Sequence, residues 1–149
     1  MRLVVQRVSF AECKVEGKIT GTINKGYMVL VGFGNSDDEK IAEKMAEKLG
    51  KLRVFEDENG KMNRSIFDIE GDILSISQFT LYADSSKGNR PSFTDALSPD
   101  KAQALYGYFN ECLRKAGLKV EEGIFGADMK ISLVNDGPVT IILDSEVLW

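Results

Sequence analysis

Apolar residues cluster in several short runs that are separated by polar and turn residues, in the pattern that is typical of β-strands. Residues 15–19, which include Gly17, indicate a hairpin turn. The predicted strands are residues 3–8, 27–33, 73–82, 130–134 and 139–143. The strands outnumber the predicted helices, which are described next.

Two further segments repeat their apolar residues with the period of an amphipathic helix. The first is predicted to begin at Ser36, because Glu39 stands at capping-box spacing from it. Its apolar stripe comprises Ile41, Met45, Leu49 and Leu52. The second has Ser98 as N-cap, Pro99 at the first helical position and Gly117 as terminator. Its inward face comprises Ala102, Leu105, Phe109 and Leu113.

Length and composition limit the size of the fold. With 149 residues, 43% of them hydrophobic, the chain can bury one core and is too short for two ordinary domains. We therefore expect one domain over residues 1–149, of the α+β class. Its core is predicted to be a mainly antiparallel or mixed, barrel-like β-sheet, with the two amphipathic helices packed on it.

The chain contains no histidine, which removes the commonest general base, every Ser-His or Cys-His nucleophile pair and the commonest metal ligand. Cys13 and Cys112 are too few for a disulfide scaffold and far apart in sequence, which makes a zinc site improbable. We expect neither a metal nor another cofactor.

The net charge of the chain and the length of its apolar runs indicate which partners and which cellular location to expect. A net charge of −4 argues against a broad electrostatic grip on nucleic acid, although a small basic site is compatible with holding an RNA end. We expect no leader before Leu3, and no apolar run is long enough to span a membrane. We expect a reduced, cytoplasmic protein without a membrane or DNA partner.

Residues 83–97 form a predicted loop that follows neither period, and long loops are disproportionately functional. Within it, Lys87 and Arg90 stand close to glycine and serine, a composition suited to phosphate. Asp84 and Asp95 flank them, so these two cations are weak evidence by themselves.

The segment 135–140 interrupts what otherwise reads as continuous apolar strand. Its residues are Asn135, Asp136, Gly137, Pro138, Val139 and Thr140. A proline cannot donate to a sheet ladder, and sequences often break a local rule of this kind at functional sites. The same residues also suit an ordinary hairpin turn.

A second polar segment closes the predicted strand 73–82. It contains Ser77, Gln78, Phe79, Thr80 and Leu81. The period of two places Gln78 and Thr80 on one face and Ser77 and Phe79 on the other. An exposed polar strand face explains this pattern without any chemistry.

Together, these two segments resemble the paired signature of the D-aminoacyl-tRNA deacylases, also called D-tyrosyl-tRNA(Tyr) deacylases. Four further blocks follow in the family's order over essentially the whole chain. They are Val-Gln-Arg-Val at 5–8, Gly-Lys-Met-Asn at 60–63, Arg-Pro-Ser-Phe at 90–93 and Phe-Gly-Ala-Asp-Met at 125–129.

The resemblance implies a homodimer with active sites at the subunit interface. Gly137 and Pro138, joined by a cis peptide bond, are then expected to reach into the partner's pocket, beside Asn135, Val139 and Thr140. A wall of backbone carbonyls accepts the amino group and α-hydrogen of a D residue and collides with an L side chain. The resemblance thus implies broad use of D-aminoacyl groups, and glycine, which has no side chain, is expected to enter as well.

The implied reaction is hydrolysis of the ester that joins the amino acid to the terminal adenosine of the tRNA acceptor end. Backbone N–H groups near Gln78 and Phe79 are expected to bind the oxyanion, while the vicinal ribose hydroxyl helps to activate water. Without a visible base, Thr80 is assigned a positioning role rather than that of nucleophile.

Further roles follow from the same resemblance. Ser77 and Gln78 are expected to hold the adenosine, Phe79 to pack on the nucleotide and Met129 to border the pocket. Lys87 and Arg90 are candidate tRNA contacts. Two other functions stay open: a related editing deacylase for mischarged L-aminoacyl-tRNA, and a non-enzymatic nucleic-acid-binding protein.

Overall fold

The computed structural model describes residues 1–149. Its strands are β1 (Arg2–Val15), β2 (Lys18–Ile23), β3 (Gly26–Gly32), β4 (Phe55–Glu56), β5 (Met62–Arg64), β6 (Asp72–Ser77), β7 (Val120–Glu122) and β8 (Lys130–Asp144). Its helices are α1 (Glu39–Gly50), α2 (Pro99–Lys115), α3 (Ser145–Leu148) and a 3-10 helix (Phe79–Tyr82). None of these helices is long and apolar enough to cross a membrane.

β1 organises the main sheet because it pairs with three strands. Its first half lies antiparallel to β3 and its second half antiparallel to β2. β8 runs antiparallel along β1 from Arg2 to Lys14. β6 lies parallel to β3, and β7 lies parallel to β6. The sheet is therefore mixed, as the sequence predicted.

The sheet is so strongly curved that its strands β2 and β7, at opposite ends of the strand order, almost meet. Gly21 of β2 lies against β7, where a Cβ atom at position 21 would stand 2.9 Å from the carbonyl oxygen of Glu122. Only glycine permits this approach of the two backbones. The result is a nearly closed, barrel-like sheet, which confirms the predicted α+β class.

Alternate residues of β3 face two separate apolar clusters. Tyr27, Val29 and Val31 belong to the larger cluster, which also contains the buried faces of α1 and α2. Met28 belongs to the smaller cluster, whose other members come from β1, β2 and β6. The helices therefore cover the outer face of the sheet, and the smaller cluster fills its curved interior.

Both predicted helices are present, and only α1 differs from the prediction at its ends. α2 begins at Pro99 with Ser98 as N-cap, as predicted. The prediction that α1 begins at Ser36 is wrong: Asp38 is the N-cap, and its side chain accepts a hydrogen bond from the N–H of Ile41 at 2.9 Å. Ser36 instead lies in a turn that the Asp37 N–H closes on the Gly34 carbonyl at 3.1 Å. Leu52 follows the end of α1.

The strands differ from the prediction mainly in length. β1 continues seven residues beyond Val8, because Ala11 and Cys13 remain buried on the inner face. The predicted hairpin turn is present between β1 and β2, with positive φ angles at Glu16 and Gly17. The sequence pattern did not indicate β7, the short hairpin of β4 and β5, or α3.

Candidate functional site

A cavity of about 250 Å³ opens where β3 and β6 end. Its floor and walls are mostly apolar. The residues that line it are Val31, Gly32, Phe33, Ile76, Ser77, Gln78, Phe79, Leu97, Ala102, Phe125, Gly126, Ala127, Met129 and Ile131. None of them carries a side chain that ionises near neutral pH, so the cavity offers a reactant neither an acid nor a base of its own.

β6 ends at Ser77, and the chain then turns into the 3-10 helix. The prediction that strand geometry continues to Tyr82 is therefore wrong. Gln78 donates its backbone N–H to the carbonyl of Val31 at 2.7 Å, which brings the turn against β3. A Cβ atom at Gly32 would stand 2.9 Å from the Gln78 carbonyl oxygen, so this turn depends on a glycine in the neighbouring strand.

The turn determines which backbone N–H groups are free to donate a hydrogen bond to a ligand. The N–H of Gln78 already has a partner in the Val31 carbonyl. The first hydrogen bond of the 3-10 helix runs from Leu81 N–H to the Gln78 carbonyl at 3.3 Å. The N–H of Phe79 precedes that bond and therefore has no partner within the helix.

Thr80 lies next to the cavity but does not line it. Its hydroxyl oxygen accepts a hydrogen bond from Nε2 of Gln78 at 2.5 Å. No carboxylate contacts the hydroxyl. Both Phe79 and Thr80 are exposed, and the Phe79 ring is one of the cavity walls.

Met129 approaches the cavity from the segment that precedes β8. Gly123 lets it pack there, because a Cβ atom at position 123 would overlap the Met129 sulfur and stand 3.1 Å from Ile76. The structure therefore brings Met129 together with Ser77, Gln78 and Phe79.

The segment 135–140 forms a wide bulge in β8 rather than a break between two strands. Gln6 of β1 pairs with Thr140, and Val8 pairs with Asn135, so a single β1 residue, Arg7, faces the four residues between them. The Gly137–Pro138 peptide bond is cis. Both residues are exposed, so the tip of this bulge projects from the surface.

The buried Arg7 holds the base of this bulge. Its Nε donates to the Asp136 carbonyl at 2.9 Å, and its Nη1 donates to the Val54 carbonyl at 2.6 Å. The sequence pattern gave Arg7 no predicted role. The available signal was a charged residue in register with the buried Leu3 and Val5 on one face of β1.

The cavity and the bulge lie at opposite ends of β3. Gly32 lines the cavity, whereas Gly26 pairs with Val8, which in turn pairs with Asn135. The seven residues of β3 span roughly 20 Å, at about 3.3 Å per residue. Within one chain, the structure therefore does not bring Gly137, Pro138, Asn135, Val139 or Thr140 into the cavity.

Lys87 and Arg90 lie on an exposed loop beside the 3-10 helix. The backbones of Asp84 and Ser92 exchange two hydrogen bonds of 2.8 Å, which close the loop at its neck. Neither cation takes part in an ion pair. Their charges are therefore free to interact with an anionic partner.

Two other observations concern residues outside the cavity lining. Tyr82, the last residue of the 3-10 helix, is buried, and burial raises the pKa of its hydroxyl. No three Asp, Glu or Cys side chains are grouped so as to hold a metal ion.

Comparisons with known proteins give consistent matches. A family model described as D-Tyr-tRNA(Tyr) deacylase matches residues 4–144. Among curated proteins, a D-aminoacyl-tRNA deacylase of Bacillus pumilus is 59% identical over 146 residues, covering 98% of this chain and 99% of the relative. One of Deinococcus radiodurans is 58% identical over 144 residues, covering 97% and 99%.

Two solved structures have a similar fold. A protein described as c-Myc DNA unwinding element binding protein aligns with a TM-score of 0.91 and 43% identity, covering 97% of this chain and 98% of that one. A probable eukaryotic D-amino acid tRNA deacylase aligns with a TM-score of 0.82 over 95% of this chain and 97% of that one. At 20% identity, this second match shows a similarity of fold alone.

Proposed function

This chain belongs to the D-Tyr-tRNA(Tyr) deacylase family, and we infer that it hydrolyses the ester of D-aminoacyl-tRNA, releasing free D-amino acid and tRNA. The reaction takes place in the cytoplasm, where charged tRNA is used. The cavity at the ends of β3 and β6 receives the aminoacylated 3′ end of the tRNA, and no cofactor takes part.

The active form is a homodimer in which each cavity is completed by the bulge of the partner subunit. The observation that carries this proposal is the distance of roughly 20 Å between the two motifs along β3. An exposed Gly137–Pro138 tip that cannot reach its own cavity is well placed to enter a neighbouring one.

The outer strand of the sheet supports this arrangement. β8 pairs only with β1, so the backbone groups along its other edge are unpaired. Ile142 on this strand is 70% exposed, and Val134 is also exposed. Long apolar edge strands of this kind are normally covered in native proteins, and a second copy of the chain provides such a cover.

Selectivity for D residues arises from the backbone of the bulge. Gly137 has φ +133°, and a Cβ atom there would stand 2.9 Å from a Val139 methyl group and 3.0 Å from Arg7 Nη2. The backbone at Gly137 therefore carries no side chain and has a fixed conformation. A bare, rigid main chain rejects an L side chain by collision, and it accepts D-aminoacyl groups of many kinds and glycyl groups.

Hydrolysis relies on the substrate and the backbone rather than on a side-chain base. No group that titrates near neutral pH lines the cavity. The Phe79 N–H stabilises the oxyanion, and the vicinal ribose hydroxyl of the terminal adenosine helps to activate water. Ser77 and Gln78 hold the adenosine and Phe79 packs on it. Met129 borders the pocket, and Thr80, held by Gln78, positions these groups.

A deacylation assay tests this proposal. D-Tyr-tRNA, L-Tyr-tRNA and Gly-tRNA are incubated at equal protein concentration with a chelator present, and the rate of ester loss is measured. We expect fast hydrolysis of the D and glycyl esters and sparing of the L ester.

The other outcomes separate the alternatives. Preferential loss of the L ester indicates an editing deacylase for mischarged L-aminoacyl-tRNA. Binding of tRNA without hydrolysis of any ester indicates a nucleic-acid-binding protein, which the net charge of −4 disfavours.

A further inference from the structure

Two exposed aromatic rings meet beside the cavity. Phe79 and Phe93 lie with ring centroids 5.0 Å apart and an interplanar angle of 64°, an edge-to-face arrangement. Phe79 is 56% exposed and Phe93 is 38% exposed. The pair therefore presents an apolar aromatic surface to solvent.

The backbone on both sides of Phe93 is fixed. On one side, Ser92 is paired with Asp84 by two hydrogen bonds of 2.8 Å. On the other side, the side chain of Asn35 donates to the Thr94 carbonyl at 2.9 Å. Phe93 is thus presented on an ordered segment, and this reduces the entropy that a bound ligand would have to overcome.

The surroundings of the pair suit a single-stranded nucleic acid. Phe79 is also a cavity wall, so the aromatic surface continues the cavity outward. Lys87 and Arg90, which have no ion-pair partner, lie on the loop that the Asp84 and Ser92 pairing closes immediately before Phe93. Aromatic rings next to unpaired cations are the usual combination for stacking bases and tracking phosphates.

We propose that Phe93 is a substrate-binding residue that stacks on the base of the nucleotide preceding the terminal adenosine, next to Phe79, which packs on the adenosine itself. This inference rests on the proposed function, since it extends the same site along the unpaired 3′ end. It assigns to Phe93 a contact with the tRNA, and not merely support of the Phe79 ring.

Two substrates test the assignment: D-Tyr-tRNA and the D-tyrosyl ester of adenosine alone, which lacks the preceding nucleotide. Phe93→Leu keeps an apolar side chain but removes the ring face. We expect KM for D-Tyr-tRNA to rise about tenfold with kcat unchanged, since a tenfold change lies within the range that stacking of one base on an aromatic ring contributes. Hydrolysis of the adenosine ester should stay unchanged, and Phe93→Tyr should restore KM.

Phe67→Leu is the matched control, because Phe67 is 41% exposed and lies outside the cavity. It should leave both substrates unaffected, and the melting temperatures of all variants should show that they are folded. Equal losses on both substrates would mean that Phe93 only supports Phe79, and no loss on either would mean that it contacts no nucleotide. Each result overturns the assignment. Failure of the unaltered protein on both esters would instead overturn the proposed function.

Discussion

Arg7 donates a hydrogen bond from Nε to the carbonyl oxygen of Asp136 at 2.9 Å, directly before Gly137. The guanidinium is 5% exposed, and its second bond, to Val54, ties the bulge of β8 to the segment before β4. A buried, planar group with two fixed bonds can set the direction in which an exposed tip projects.

Arg7→Lys should therefore lower the ratio of D to L ester hydrolysis. Lysine keeps the charge, but its ammonium group cannot reproduce the two hydrogen bonds to the Asp136 and Val54 carbonyls. The tip is therefore expected to move relative to the partner's cavity. We expect a loss of about tenfold to a hundredfold in the ratio. Arg53→Lys is the control, because Arg53 also bonds a carbonyl, that of Asn63 at 2.9 Å, but is exposed. An unchanged ratio in Arg7→Lys would remove Arg7 from the selection step.

Gly137→Ala should reduce activity towards D-aminoacyl-tRNA, selectivity against the L ester, or both. The added methyl group meets Val139 and Arg7 within about 3 Å, at a φ of +133° that side chains rarely adopt. Gly117→Ala is matched to it, since Gly117 has φ +99° but no atom within 4 Å of the new methyl group. It should cost stability only. Equal kinetics in the two variants would argue against a role for the tip.

Thr80→Ala should retain substantial hydrolysis of D-Tyr-tRNA, within about tenfold of the unaltered protein. The hydroxyl accepts from Gln78 and contacts no base, so it is poorly activated as a nucleophile. Single-turnover deacylation measures the chemical step directly. A folded Thr80→Ala protein that binds tRNA but is inactive would restore the nucleophile mechanism.

The buried hydroxyl of Tyr27 should lower the free energy of unfolding at alkaline pH. Burial raises the pKa of its hydroxyl, so the folded state holds this proton at a pH where the unfolded chain releases it. The stability is complete below pH about 10, the unfolded pKa, and falls as pH rises through the folded pKa. Urea unfolding between pH 8 and pH 11 should show a shallower decline in Tyr27→Phe.

The same variant should cost almost nothing at pH 7, because the buried Tyr27 hydroxyl has no hydrogen-bond partner. Tyr106→Phe provides the contrast. The Tyr106 hydroxyl donates to the Ser75 carbonyl at 2.7 Å, so its removal should cost about 1 kcal/mol. A large loss in Tyr27→Phe at neutral pH would mean that its hydroxyl is bonded in solution.

Hydrophobic patterning was sufficient to predict β3, an apolar run that is buried on both faces, and both long helices, whose buried faces follow the helical period. Met45 and Leu49 of α1 and Phe109 and Leu113 of α2 are all buried. Helix ends were less certain, since the choice between Ser36 and Asp38 depends on which side chain reaches the first free amide.

The candidate site was predicted by residue but not by geometry. The alternation from Ser77 to Leu81 reads as strand, yet β6 ends at Ser77 because Gly32, 45 positions earlier in the chain, admits the Gln78 carbonyl. The alternation of residues within one strand carries no information about such a long-range contact. Likewise, the bulge at Gly137 is held by Arg7 from the far end of the sequence, and the hydrophobic pattern gives no information about that pairing.

If Gly137→Ala lowers the activity towards D-aminoacyl-tRNA, the proposed exchange of bulges between subunits predicts that a variant with a filled cavity complements it. Gly137→Ala damages the contributed tip and leaves its own cavity intact. Ala127→Trp fills the cavity, which Ala127 lines, and leaves the tip intact. In a mixed dimer, the intact cavity of one subunit meets the intact tip of the other, so one of the two sites works.

Random mixing of equal amounts, after dissociation and reassociation, should therefore restore about a quarter of the unaltered activity. Half of the dimers are mixed, and half of their sites are intact. Ile142→Lys introduced into both chains should abolish the recovery, because a charge on the exposed edge strand opposes association. If each chain used its own tip, the mixture would stay as inactive as its parts, and the roughly 20 Å between Gly32 and Gly26 would need another explanation.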